Sequence, residues 1–256
     1  MIPDVSHNPL LAPLERYSYN ELRMLKHFCE QCYRNFALVF FQERTGLKFY
    51  ESWHHRVIFD TVQKLLDGLI TRLIINCPPG FSKTELLVVL LLAYTYVINP
   101  RAKNLHLSYS ADLALENSRK VKEIVSSDLF QAFWPGKTRV DSGAKHRWVT
   151  TNNGQLAARS MGGQVTGNRA GRLEPGFQGI GVVDDPIKPE DIVSSAIRNK
   201  INRRFPDTVQ SRLARPDTPM ILIMQRLGDD DPTAFLCRGG TGEKWHHLII
   251  PAEVAA

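Results

Sequence analysis

The chain has 256 residues, a formal net charge of +6 from 32 Lys and Arg against 26 Asp and Glu, and 43% hydrophobic residues. This composition excludes disordered, collagen-like and mucin-like chains and is typical of one large folded domain or of a domain with a small appendage. The longest uncharged stretch, residues 86–100, is shorter than the roughly 20 apolar residues that a membrane span needs, so no membrane partner is expected.

The first 48 residues are predicted to form a helical segment. Between Tyr17 and Phe41 apolar residues recur close to every 3.6 positions, and Gly46 ends the pattern. Cys29 and Cys32 form a CxxC, but no second pair follows at zinc-like spacing, so a structural role and a reducing compartment are favoured over metal or redox chemistry.

From residue 49 onward helices and strands alternate. Predicted helices cover residues 52–69, 84–98, 112–125 (with Asp112 as a cap) and 191–213, the last interrupted by Pro206. Predicted strands cover residues 72–76, 104–110, 147–151, 155–160, 179–183, 220–224 and 248–250, and residues 161–178 form a glycine-rich loop. Alternation of this kind, with fully apolar strands, predicts a mostly parallel α/β sheet flanked by helices.

A buried strand, a short loop, a Lys-Thr pair and a helix follow one another between residues 74 and 86. This order is the context of a phosphate-binding loop, in which backbone N–H groups hold phosphate oxygens, Lys83 reaches the terminal phosphates and Thr84 binds Mg²⁺. Cys77 and Ser82 replace the two glycines of the usual motif, so an ordinary strand–turn–helix stays open. The expected nucleotide contacts are Pro79, Gly80, Phe81, Ser82, Lys83, Thr84 and Glu85.

About 100 residues further on, an apolar strand ends in Asp184 and Asp185. Acids at the carboxyl end of a parallel strand lie where α/β proteins bind ligands. In a phosphate-loop enzyme Asp184 is expected to hold Mg²⁺ and Asp185 to orient or activate the attacking water. A plain Asp-Pro turn, or a two-metal nuclease cluster with Glu190 and Asp191, are the alternatives.

The strand predicted at 220–224 ends in a further polar residue, Gln225, which is placed to sense a γ-phosphate. The acidic residues that come after it, 229–231, are interpreted as a solvated loop or a helix cap rather than a metal site.

Six segments, in this order, carry a resemblance to a known family. They are RLIINCPPGFSKTE at 72–85, LSYS at 107–110 with FWP at 133–135, GGQVTGNR at 162–169, VVDDPIK at 182–188, MQRLGDD at 224–230, and Trp245 with LIIPA at 248–252. Together they resemble the N-terminal ATPase half of the large terminase subunit of tailed bacteriophages, over the chain from about Phe49 to its end.

The resemblance implies a RecA-like P-loop NTPase fold of the additional-strand class, with a small helical lid at 1–48 and an ATPase core at 49–256. It implies ATP hydrolysis with Mg²⁺ coupled to translocation of double-stranded DNA into a procapsid, in the cytoplasm of the infected host. The implied partners are the portal protein, the small terminase subunit and further copies of the chain in a ring, by resemblance a pentamer, although the free domain is expected to be a monomer. The family's C-terminal nuclease domain is expected to be absent from this chain.

The resemblance also assigns roles to further residues. Many members carry an arginine in the loop where this chain has Gly80, so a catalytic arginine is expected from a neighbouring subunit, with Arg169 as the first candidate and Arg172 as the second. Asp185 stands where the family commonly has glutamate. Tyr50 and His54 lie about where members contact the nucleotide base.

A basic run near residue 200 is the predicted DNA contact, because a motor must neutralise phosphates without reading sequence. Its members are Arg198, Lys200, Arg203 and Arg204. A solvated helix face is the alternative for this run, and a helicase-like P-loop ATPase or a basic DNA-binding module are the alternatives for the whole chain.

Overall fold

The computed structural model describes residues 17–136, 146–163 and 167–252. Within them seven strands form one sheet in the order β3-β4-β2-β5-β6-β1-β7, and every neighbouring pair is parallel except β3 with β4. The strands are β1 (Arg72–Asn76), β2 (Lys103–Ser108), β3 (Arg147–Val149), β4 (Gln155–Ser160), β5 (Gly181–Asp184), β6 (Met220–Met224) and β7 (His246–Ile249).

Helices cover both faces of this sheet. They are α1 (Tyr19–Gln31), α2 (Tyr33–Thr45), α3 (Trp53–Leu66), α4 (Leu91–Ile98), α5 (Ala111–Ser126), α6 (Asp128–Phe133), α7 (Ser195–Arg204) and α8 (Pro232–Cys237). A π-helical segment, Glu85–Leu90, runs directly into α4; another, Phe205–Val209, comes after α7, and 3-10 turns span Pro189–Val193 and Gln210–Arg212. The mostly parallel, helix-flanked sheet predicted from the sequence is confirmed.

The N-terminal region differs from its prediction at one residue. Cys32 is extended, with φ −164° and ψ 161°, so the single predicted helix is two helices, α1 and α2. Gly46 ends α2 as expected, because its φ of 69° is left-handed and its N–H bonds the carbonyl of Gln42. Cys29 is buried, Cys32 is partly buried, and both are free thiols.

Other predicted elements agree closely, and the errors are local. β1 and β6 have the predicted bounds, and the antiparallel β3–β4 pair is the predicted hairpin. Ser110, not Asp112, is the N-cap of α5, and Asp112 lies in its first turn. The short helices α6 and α8 were not predicted. Of the glycine-rich loop, residues 164–166 lie outside the described residues.

The feature that positions the site is the place of β6 in the sheet. It lies between β1 and β5, with Met224 beside Asn76 on one side and Ile223 beside Asp184 on the other. Because all three strands are parallel, their carboxyl ends meet at one edge. The loop after β1 and the acids after β5 are therefore neighbours across a single intervening strand.

The N-terminal helices share a hydrophobic core with the helix that comes after β1. Phe36 and Phe40 of α2 stack at 4.4 Å between ring centroids and are fully buried in the same cluster as Leu86 and Leu90. The opposite face of the sheet has a second cluster, built around Phe205 and the strands β5 and β6. The predicted boundary between a helical lid at 1–48 and an ATPase core at 49–256 therefore does not coincide with a boundary between hydrophobic cores. The division into these two domains stays a prediction.

Among the described residues no helix combines the length and the apolar composition of a membrane span.

If α2 folds as part of this core, truncating Phe40 destabilises the whole domain. Phe40→Ala is expected to lower the free energy of unfolding by about 3–5 kcal/mol, because a fully buried aromatic side chain is lost and a cavity is left. Urea unfolding followed by circular dichroism measures the change. Tyr19→Ala on α1, where Tyr19 is 74% exposed, is the control and is expected to change stability by no more than about 0.5 kcal/mol. A separate early transition in Phe40→Ala would contradict the shared core.

Candidate nucleotide-binding site

The loop after β1 leads straight into a helix. The backbone of Gly80 has φ +84° and that of Ser82 has φ +57°, so the chain turns twice through the left-handed region. Leu86 N–H then bonds the carbonyl of Ser82 at 2.9 Å, which starts the helix. Ser82 thus adopts the conformation for which the usual motif supplies glycine. Cys77, at the other glycine position, is buried, and burial raises the pKa of its thiol to about 11.

The structure brings the predicted loop residues and the predicted acids together. The hydroxyl of Thr84 donates to Asp184 Oδ2 at 3.0 Å, and the ammonium of Lys83 lies 3.3 Å from Asp185 Oδ2. Each pair joins positions about 100 residues apart in the chain. The Lys83 ion pair is only partly exposed, so it is less screened by water than a surface pair.

Asp184 is a buried carboxylate with one oxygen that accepts no hydrogen bond from the described residues. It is 4% exposed, and its Oδ1 atom has no hydrogen-bond partner among the described residues. Burial, reinforced by the negative charge of Asp185, raises its pKa to about 7, although Thr84 and Lys83 oppose the shift. An orphaned carboxylate oxygen beside a hydroxyl is a donor set that fits Mg²⁺, which prefers oxygen ligands and is commonly held by one or two protein groups together with phosphates.

Backbone strain concentrates at this site. Asp185 has φ +42°, and within the described residues the only other non-glycine residues at positive φ are Ser82 and Asn153, the latter in the β3–β4 turn. Asp185 is held there by its N–H bond to Ile223 O and by the bond that its carbonyl accepts from Tyr109 N–H. Residues kept in such conformations typically cluster at functional sites.

Two further loop positions contact the N-terminal region. The carboxylate of Glu85 pairs with Arg44 of α2, so its side chain is engaged with the helical segment. The ring of Phe81 lies 4.6 Å from that of His54 on α3. Arg44 was not predicted as a site residue, and no pattern in the sequence indicates a contact across about 40 positions.

The hydrogen bonds around His54 fix the positions of its protons. Ser52 N–H donates to Nδ1 of His55, so neutral His55 carries its proton on Nε2, which lies 3.0 Å from Nε2 of His54. His54 therefore accepts at Nε2 and carries its proton on Nδ1, which has no acceptor among the described residues. Burial lowers the pKa of both rings, that of His55 to about 4, which keeps both neutral near pH 7. Tyr50, the other predicted base contact, is 82% exposed.

At the end of β6, Gln225 is partly exposed and lies next to the loop strand, because Cys77 N–H bonds the carbonyl of Met224. Asp231 is completely buried and caps α8 through Ala234 N–H at 2.9 Å. It also accepts from the guanidinium of Arg226 at 2.8 Å. The helix-cap interpretation of this acidic stretch is confirmed.

The predicted arginines have different surroundings. Arg169 is exposed and has no hydrogen bond or ion pair with any described residue. Arg172 instead bonds the carbonyls of Arg101 and Asn153, so it is tied into the fold.

In the basic run on α7, two side chains bond backbone carbonyls and two have no hydrogen-bond partner among the described residues. Arg198 donates to Ile192 O at 2.7 Å, and Arg204 donates to the carbonyl of Gly163 in the glycine-rich loop. Lys200 and Arg203 are exposed, with no bond to a described side chain or carbonyl. The basic surface of this helix is therefore formed by Lys200 and Arg203.

Within the residues that the structure describes, no three His, Cys, Asp or Glu side chains form a group that could hold a metal. The two-metal cluster considered for Asp184, Asp185, Glu190 and Asp191 is thus not assembled. Glu190 instead lies 3.9 Å from Lys188.

Comparisons with known proteins agree with this architecture. The large terminase of bacteriophage HK97 is similar in structure, with a TM-score of 0.53 and 16% identity over 91% of this chain and 45% of the terminase. Dbp5 of Saccharomyces cerevisiae, in a complex with Nup159, Gle1, IP6 and ADP, is similar with a TM-score of 0.50 and 14% identity over 84% of this chain and 52% of Dbp5. The chain thus spans about half of each. No family model matches it, and no curated protein is similar in sequence. At these identities the likeness shows the fold alone, a mostly parallel sheet flanked by helices.

The neutral His55 makes stability depend on pH. A free histidine has a pKa near 6.5, whereas burial and the neighbouring His54 lower the pKa of His55 to about 4. Between these values the unfolded chain binds a proton that the folded chain does not, so the free energy of unfolding is expected to fall as the pH drops through this window. Urea unfolding at a series of pH values measures the slope.

His55→Gln is expected to flatten that slope, while His27→Gln, which changes an exposed histidine of α1, leaves it unchanged. Buried His106, whose pKa is also lowered to about 4, acts in the same direction and contributes equally to all three proteins. An unchanged slope in His55→Gln would mean that His55 is not neutral in the folded chain.

Proposed function

We propose that this chain is an ATP-hydrolysing motor domain of the type found in the large terminase subunit of tailed phages. It binds ATP and Mg²⁺ between the loop after β1 and the end of β5, and it uses hydrolysis to move double-stranded DNA into a procapsid. The observation that carries the proposal is the contact of Thr84 with Asp184, beside the pair of Lys83 with Asp185, across the intervening strand β6. The likeness to the HK97 terminase supports the motor type at the level of fold.

The loop supplies the phosphate contacts. Backbone N–H groups from Gly80 to Glu85 stand at the start of a helix, where the helix dipole favours anions. Thr84 and Asp184 would hold Mg²⁺, which supplies charge neutralisation for the phosphates when bound. With Mg²⁺ bound, the orphaned oxygen of Asp184 would gain a partner, and the charged form of this carboxylate, whose pKa burial raises to about 7, would be favoured.

The ion pair of Lys83 with Asp185 is the resting state of the catalytic groups. A bound triphosphate attracts the ammonium of Lys83 more strongly than one carboxylate does, so Asp185 is released. The freed carboxylate accepts a hydrogen bond from the attacking water and takes its proton. Gln225, at the end of the neighbouring strand, senses the γ-phosphate.

Arg169 completes the site from a neighbouring copy. It is exposed and unpaired among the described residues, so it is available to stabilise charge on the phosphates of an adjacent subunit in a ring. The base of the nucleotide lies against Tyr50 and His54, where the Nδ1 proton of His54 is a donor for a ring nitrogen. The described part of the N-terminal helical segment, residues 17–48, is the proposed lid of this site.

The DNA contact is the exposed face of α7, through Lys200 and Arg203, while Arg198 and Arg204 hold the surrounding backbone. In the infected host cytoplasm the portal protein and the small terminase subunit complete the assembly. A helicase-like ATPase is the second candidate, because Dbp5 is similar in fold to nearly the same extent. Stimulation of hydrolysis by double-stranded rather than single-stranded nucleic acid separates the two.

The ATPase proposal predicts loss of turnover in two variants. Lys83→Ala and Asp184→Asn are each expected to lower Mg²⁺-dependent ATP hydrolysis by about 100-fold or more, the scale of removing one preorganised charge-stabilising group. Phosphate release and calorimetric ATP binding measure the effect. Lys64→Ala, which changes an exposed lysine of α3, is the matched control and keeps wild-type activity.

The arginine in trans is tested by mixing inactive proteins. Lys83→Ala subunits keep Arg169, and Arg169→Ala subunits keep an intact loop, so a mixture at a concentration at which the chain associates is expected to regain turnover that neither has alone. Absence of ATP binding by the wild-type chain would sink the whole proposal. If the wild-type chain binds and hydrolyses ATP but no mixture of the two variants regains hydrolysis, only the role of Arg169 is contradicted.

The DNA proposal predicts a sequence-independent loss of affinity. Changing Lys200 and Arg203 together to alanine is expected to weaken binding uniformly and to reduce the salt dependence of log K by about 2, because each cation neutralises about one phosphate. Fluorescence anisotropy at several salt concentrations measures it. The double change Arg119→Ala and Lys122→Ala on α5 removes the same charge and is expected to have no effect. If both double variants lose the same DNA affinity, net charge alone explains the binding and the specific contact on α7 is contradicted.

A further inference from the structure

Three side chains outside the nucleotide site form a connected series at the end of β1, the start of β7 and the end of α8. The sulfur of Cys237 lies 3.5 Å from Nδ1 of His247, and Nε2 of His247 lies 2.6 Å from Oδ1 of Asn76. Asn76 is the last residue of β1 and is 2% exposed. The order thiol, imidazole, amide is that of an activated cysteine, in which a third group orients the base.

The bonds of Asn76 determine where the protons lie. Its amide nitrogen donates to Met224 O at 3.0 Å and to Thr233 Oγ1 at 2.9 Å, so its oxygen is the acceptor for His247. Neutral His247 therefore carries its proton on Nε2 and presents Nδ1 as an acceptor to the Cys237 thiol. Desolvation raises the pKa of the Cys237 thiol and lowers that of His247, so the resting pair is a neutral thiol and a neutral imidazole. The reactive thiolate therefore forms only as the proton passes to His247.

Cys237 is also the accessible thiol. Cys29 and Cys77 are buried and Cys32 is partly buried, whereas Cys237 is exposed at the end of α8. Within the described residues it is the cysteine that contacts an imidazole. Among the described cysteines, Cys237 is thus both exposed and in contact with a base, which makes it the candidate for reaction.

We propose that Cys237 is a thiol-modification site that exchanges with low-molecular-weight disulfides of the glutathione disulfide type, with His247 as its proton acceptor. The sulfur of Cys237 attacks one sulfur of the disulfide, and its proton passes to Nδ1 of His247. A new S–S bond forms, the old one breaks, and the departing thiolate takes the proton from the imidazolium. The products are the mixed disulfide at Cys237 and one free thiol, and no further oxidant is required.

Disulfide exchange is preferred over acyl transfer because it needs only a nucleophile, a base and a leaving thiolate. Acyl transfer also needs donors for an oxyanion. The modified sulfur is separated only by the imidazole of His247 from Asn76, the residue that precedes the phosphate-type loop. The inference does not depend on ATP hydrolysis.

The test is the rate of reaction of the full chain with dithiobis-nitrobenzoate, a disulfide that releases a coloured thiolate, with the adduct located by peptide mass. One fast equivalent is expected at Cys237 in the wild type. Cys237→Ser is expected to abolish it and Cys32→Ser to leave it unchanged. His247→Gln keeps a donor for Asn76 but removes the base, so the fast phase is expected to slow by about tenfold or more.

A reference thiol tests the proposal even if the His247→Gln protein does not fold. Ser211→Cys in the Cys237→Ser background places a thiol at an exposed position of the 3-10 turn, and Cys237 of the wild type is expected to react about tenfold faster than it. Equal rates at the two positions, or a fast phase that survives in Cys237→Ser, would overturn the proposal. A folded His247→Gln protein that reacts as fast as the wild type would overturn it as well.

Discussion

The site depends on the parallel pairing of β6 with both β1 and β5. This pairing sets Met224 beside Asn76 and Ile223 beside Asp184, so three strands end together. The loop, the two acids and Gln225 all lie along that common edge, because each of them is at or directly after the carboxyl end of one of these parallel strands. A shift of one residue in either register would turn every side chain of that strand to the opposite face.

Several residues along this edge have energetically unfavourable conformations or surroundings. Ser82 and Asp185 hold positive φ values, and Asp184 is a buried carboxylate with one oxygen unpartnered among the described residues. Each feature is unfavourable by itself, and each is held by the strands on either side. Such a combination of strain and unused polar capacity is typical of a site whose ligand supplies the missing interactions.

The N-terminal helices brace the same site from one side. Tyr33 bonds the carbonyl of Leu86, Arg44 pairs with Glu85, and His54 packs against Phe81. These contacts connect α2 and α3 to the loop and to the helix that it starts. A segment that resembles an appendage in the sequence is therefore part of the loop's support, because its apolar face is buried against the helix that the loop starts.

The sequence alone determined the class of fold and the two ends of the site. Apolar runs and turn residues are local signals, so β1, β6 and the β3–β4 hairpin could be placed to within a residue or two, and Lys83 and Asp184 could be singled out by their positions at the carboxyl ends of apolar strands. It did not determine the break at Cys32 or the π-helical start after Thr84, because no local propensity distinguishes them from a regular helix. Only the tertiary structure decided that Arg198 and Arg204 bond backbone carbonyls while Lys200 and Arg203 have no partner among the described residues. The same holds for the meeting of Cys237, His247 and Asn76. Such contacts join residues far apart in the chain, and only packing brings them together.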